Sequence, residues 1–149
     1  MGENFMGSML AMVVYVVLFA YLLSAIFYLW GSKTGKENIL KLALILAILG
    51  CVLHLALLVM RTVLTGMLPL TNGMDYLLCF TWITVLMYLL LTSRYQLKSA
   101  GGIVMLMSAI LLSLVLVLMT GQLGSVAPLM PALKSPWLTV HVVTAAISY

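Results

Sequence analysis

Charge is what this sequence has least of. Seven of its 149 residues are Lys or Arg and three are Asp or Glu, so 7% of the chain is charged, against about 25% in a soluble domain. So little polar surface cannot coat a water-soluble globule. A 65% hydrophobic content reads as a membrane protein. Three carboxylates leave the usual hydrolytic chemistries little to work with, and no catalytic triad, phosphate loop or carboxylate pair is visible. The net charge of +4 is small and scattered, which speaks against a nucleic-acid partner. The two cysteines, Cys51 and Cys79, sit inside apolar runs and form no CxxC, so they read as buried small hydrophobes. The opening MGENFMGSM lacks a basic region and carries Glu3, and the apolar run behind it is too long for a signal peptide core. A cleaved signal peptide is therefore not expected.

What is present is a series of long uncharged runs. They cover Phe5 to Trp30, Leu42 to Met60, Tyr76 to Ser93 and Ile103 to Met119, with a fifth running from near Pro136 to Tyr149. A bilayer core of about 30 Å takes about 20 helical residues. Backbone groups in lipid must be satisfied within the segment, which selects helices over an open strand. The expected fold class is all-α: one polytopic bundle over residues 1–149, with about five transmembrane helices. The fifth run, about 14 residues long, is too short to complete a crossing. The cations orient the bundle. Lys33, Lys36, Lys41, Arg94 and Lys98 fall on one side, and Arg61 and Lys134 on the other. The positive-inside rule puts the five in the cytoplasm and the N-terminus outside.

The chain has two histidines, and both fall in apolar runs. His141 follows a helix start, with Ser135 placed to cap and Pro136 at the first helical position. It lies five residues past Pro136, about 7–8 Å along the axis, so it enters the membrane from outside. Trp137, His141, Ala145 and Tyr149 share a face by i, i+4 spacing, flanked by Thr144 and Ser148. Small and weakly polar neighbours suit a protein contact or a flat ligand better than lipid. Trp137 alone also fits an aromatic belt. His54 lies seven residues before Arg61, about 10 Å below the outer interface, with Gly50, Cys51 and Arg61 near the same face. Ionisable groups inside a membrane are costly and mark a functional site by default; the bland alternative is a neutral imidazole bonded to a neighbouring helix. Neutral imidazole ligates haem iron well. Zinc needs more ligands than these runs offer.

Two stretches carry a family resemblance. PALKSPWLTVHVVTAAISY resembles the segment of CcsA/ResC-type cytochrome c biogenesis proteins that reads PALQS, one variable residue, WL, two variable residues and HV. HLALLVMRTVLTGMLPLTNGMDYLLCFTW resembles the same family's stretch through His54, Arg61, Gly66, Pro69, Leu70, Thr71, Asn72, Asp75 and Trp82. The useful match runs from Cys51 to Tyr149. The family's Tyr-Glu-Ser stands here as Met74, Asp75 and Tyr76. Its tryptophan-rich WWD segment and second external His would follow Tyr149, so the chain is expected to be an N-terminal portion of such a protein.

The resemblance implies haem handling in a bacterial cytoplasmic membrane, on the system II route of cytochrome c maturation. Haem b is held transiently and presented outside for covalent attachment to the CxxCH motif of an apocytochrome c. A ResB/CcsB-type membrane partner takes part; this chain is a candidate membrane subunit of a holocytochrome c synthase and is not expected to complete that reaction alone. His141 maps onto the family's external axial ligand of the haem iron. Trp137 is then a candidate wall of the site, Arg61 a candidate propionate partner and His54 a further candidate near the haem. Asn72 and Asp75 are candidate outer-loop contacts, although Asn72-Gly73 is also an ordinary turn signal and Asp75 an ordinary helix cap. Two other readings stay open: a b-type electron carrier with one bis-His haem from His54 and His141, and a cofactor-free transporter fragment.

Overall fold

A computed structural model describes residues 2–66, 70, 72–95, 97, 100–118, 123, 140, 141, 144, 145 and 148. Four helices make up its body: α1 (Gly2–Thr34), α2 (Glu37–Thr65), α3 (Gly73–Tyr95) and α4 (Gly101–Leu118). All four are long and apolar enough to cross a membrane. The described residues of the fifth run, 140, 141, 144, 145 and 148, are helical as well. The chain is a helical, multi-pass membrane protein.

The first three helices outrun the uncharged stretches. Lys33, Glu37, Lys41, Arg61, Asp75 and Arg94 all lie inside them. Charge marks where a helix leaves lipid, while the backbone ladder continues into the interface. Glycine ends two of the helices. Gly35 (φ +66°) separates α1 from α2. Gly66 (φ +65°) closes α2, and its N–H donates to the Thr62 carbonyl at 2.9 Å. Only glycine adopts that left-handed geometry without cost.

The helices form a ring in which each packs on two neighbours: α1 on α2 and α4, and α3 on α2 and α4. The α1–α2 seam is the most extensive and the α2–α3 seam the least. On α1 the buried stripe is Leu10, Val14, Val17, Tyr21, Ala25 and Tyr28, the spacing of one helix face. On α2 it meets small residues, Ala43, Ala47 and Gly50. Without a hydrophobic drive in lipid, close approach across small residues is what holds helices together. Ser24 adds a hydroxyl donated to the Ala43 carbonyl at 2.8 Å. Phe19, Ile45, Val52, Val63 and Val117 point outward, as lipid-facing positions do. Three other hydroxyls fold back on their own helix: Thr62 onto Leu58, Thr81 onto Leu77 and Ser113 onto Ala109. No hydroxyl of that group is left unsatisfied in the apolar medium.

Candidate functional site

The sequence candidates separate into three places. The first is where the end of α2 meets the start of α3. Arg61, in the last turns of α2, donates from Nε to the Asp75 carboxylate at 2.9 Å. It also donates from a terminal nitrogen to the Leu123 carbonyl, in the connection after α4. Both charged side chains are buried, Arg61 at 1% and Asp75 at 0% exposure. Asp75 is not the residue that caps α3. Asn72 is: its side-chain oxygen accepts the Asp75 N–H at 2.8 Å, and its carbonyl accepts the Tyr76 N–H at 3.0 Å. Capping by Asn72 leaves the Asp75 carboxylate free to turn sideways onto Arg61. The guanidinium thus joins α2, α3 and the post-α4 connection at one point.

The second place is around His54, which is fully buried. Tyr21 of α1 lies on the small surface of Gly50: a Cβ at Gly50 would meet the Tyr21 ring at 2.6 Å. Seated there, the Tyr21 hydroxyl reaches His54 Nδ1 at 3.2 Å. The backbone of Leu78 on α3 lies beside the imidazole, and Nε2 makes no hydrogen bond among the described residues. The ring is enclosed by α1 on one side and α3 on the other. Nearby, Trp82 of α3 donates from Nε1 to the Cys51 carbonyl of α2 at 3.1 Å. Sequence reasoning placed Gly50 and Cys51 beside His54 but missed Tyr21. The only signal for Tyr21 was a hydroxylated aromatic inside an otherwise apolar run.

The third place is His141. Its side chain is exposed, as are Val140, Thr144 and Ser148. Thr144 donates to the Val140 carbonyl at 2.7 Å and Ser148 to the Ala145 carbonyl at 3.0 Å. Both hydroxyls are thereby occupied on their own helix. Trp137 lies outside the described residues. Among the described residues, no group of three His, Cys, Asp or Glu side chains gathers to hold a bare metal ion. An iron held mainly by a porphyrin needs only one or two protein ligands, and an open imidazole fits that demand.

Gly50 gives a direct check on the second place. Gly50→Ala is expected to displace the Tyr21 ring and lower stability by about 1–3 kcal/mol, the usual cost of overpacking. Thermal unfolding in detergent reads this, with Tyr21→Phe as the variant that removes the hydroxyl alone.

No protein-family model and no solved structure matches the chain. Curated proteins do. The chain is 30% identical over 135 residues to cytochrome c biogenesis protein CcsA of Guillardia theta, covering 90% of this chain and 45% of that protein. It is 28% identical over 137 residues to the CcsA of Trieres chinensis, covering 90% and 42%. Against the CcsA of Synechocystis sp. it is 25% identical over 150 residues, covering 99% and 42%. The chain spans less than half the length of these relatives, while nearly all of it is matched.

Proposed function

We propose that the chain, 30% identical to a CcsA protein over 90% of its length, is part of a CcsA-type protein that handles haem b at the outer side of the membrane for attachment to apocytochrome c. When bound, haem supplies the porphyrin that is joined to the two thiols of a CxxCH motif. This chain's part is to hold and orient it. His141 is the axial ligand to the iron and Trp137 a wall beside it. A ResB/CcsB-type protein is the membrane partner, the two acting together as the synthase, and a bacterial cytoplasmic membrane is the setting.

One observation carries this reading: the two histidines differ in access. His54 is enclosed between helices and His141 is exposed on a helical segment. The exposed one sits in the motif PALKSPWLTVHV. The same contrast speaks against a single bis-His haem bridging the two. Arg61, held by Asp75 and Leu123, takes a positioning role in this reading: it ties down the connection that leads towards His141. Asn72, by capping α3, keeps Asp75 aimed at Arg61.

Deleting the gene in its own host tests the proposal. Covalent-haem staining of denatured membranes is expected to lose the c-type cytochrome bands, while b-type absorbance stays. Retained c-type bands would overturn the reading, and loss of b-type absorbance alone would favour an electron carrier.

A further inference from the structure

The α2–α3 seam is closed in its outer half and open in its inner half. Towards the outer end two polar bridges pin it, Arg61 to Asp75 and Trp82 to the Cys51 carbonyl. Towards the inner end it parts around a cleft of about 190 Å³. Tyr28 of α1 forms its floor, and Leu44, Ile48 and Leu89 form its walls. Tyr28 is itself fixed, edge-on against Tyr88 with ring centroids 5.9 Å apart. Gly101 of α4 lets this aromatic layer form, since a Cβ there would come within 2.9 Å of the Tyr28 ring.

The rim is different in kind. Lys41, Thr92 and Ser93 line it. The Ser93 hydroxyl donates to the Leu90 carbonyl at 2.7 Å, which leaves its oxygen able to accept. Lys33, Lys36 and Arg94 belong to the same end, against a single carboxylate, Glu37. An apolar slot under a cationic, hydroxylated rim matches an amphiphile with a chain below and an anion above. Lys41, one turn into α2, keeps its stem along the apolar wall and its ammonium at the interface. By the positive-inside rule this end faces the cytoplasm, where the leaflet is anionic.

We propose that the α2–α3 cleft is a binding site for an anionic phospholipid of the inner leaflet, an acyl chain lying against Tyr28 and the phosphate paired with Lys41. The site is independent of haem. It places a lipid where the ring is least tightly packed, so the lipid completes the seam.

The test is native mass spectrometry of the detergent-purified protein, titrated with dioleoylphosphatidylglycerol and, separately, dioleoylphosphatidylcholine. The wild type is expected to retain phosphatidylglycerol preferentially. Lys41→Gln is expected to reduce that preference about fivefold, the factor corresponding to about 1 kcal/mol for one cation at an anionic lipid surface. Lys36→Gln, at the same end but outside the cleft, is expected to leave it unchanged. Ile48→Trp, which fills the slot, is expected to lower retention of both lipids. Equal retention of the two lipids by the wild type would overturn the proposal. So would an equal loss in Lys36→Gln, or no loss in Ile48→Trp. Retention of neither lipid would overturn it as well.

Discussion

Replacing Asp75 by Leu is expected to destabilise the protein by about 3–5 kcal/mol, the cost of leaving one charge of a buried pair without its partner. Arg61 is at 1% exposure and donates at 2.9 Å to Asp75. Losing the carboxylate leaves its guanidinium with the Leu123 carbonyl, a neutral acceptor that cannot balance the charge. The double replacement Arg61→Met with Asp75→Leu is expected to recover most of the loss, since apolar groups of similar size often substitute for a buried ion pair without penalty. Thermal unfolding of the four proteins forms a double-mutant cycle. A single Asp75→Leu variant as stable as the wild type would remove the pair from the account. The double variant separates stability from function. It regains the fold but lacks the tie to Leu123, so haem attachment in cells is expected to stay impaired.

His141→Ala is expected to lower covalent haem attachment in cells by more than tenfold without lowering the protein's melting temperature. An exposed side chain contributes little packing, and in the proposed reading its loss removes the axial ligand of the iron. His54→Ala is expected to do the reverse. It opens a cavity between α1 and α3 and strips the Tyr21 hydroxyl of its partner at 3.2 Å. Truncating a buried side chain leaves a destabilising cavity, and an unpaired buried hydroxyl adds about 1–3 kcal/mol. Haem staining and thermal unfolding, run on the same membrane preparations, read both quantities. If the two variants changed both readouts in parallel, the histidines would form one site, and the division drawn here would fail.

The membrane bundle was legible in the sequence because the uncharged runs are long and the charges between them few. Runs such as Leu42 to Met60 leave no other stable backbone arrangement in lipid. The helix ends were less legible: Arg61 and Asp75 looked like boundaries and turned out to lie inside α2 and α3. A charge buried by a partner 14 residues away looks, in one dimension, the same as a charge at the interface. Asp75 read as a cap for the same reason. Its true role depends on Asn72 taking the cap first, a choice of side-chain geometry that composition does not encode. The spacing of His54 from Arg61 along α2 was readable from helical rise, but its enclosure was not. That enclosure rests on Tyr21 and Gly50 meeting across two helices, a tertiary match with no sequence period.

The most direct test of haem handling is a haem titration of the detergent-purified chain, followed by its Soret absorbance, in wild type, His141→Ala and His54→Ala. The account predicts a saturable Soret band in the wild type and in folded His54→Ala, and none in His141→Ala. A wild-type band unchanged by His141→Ala would contradict it.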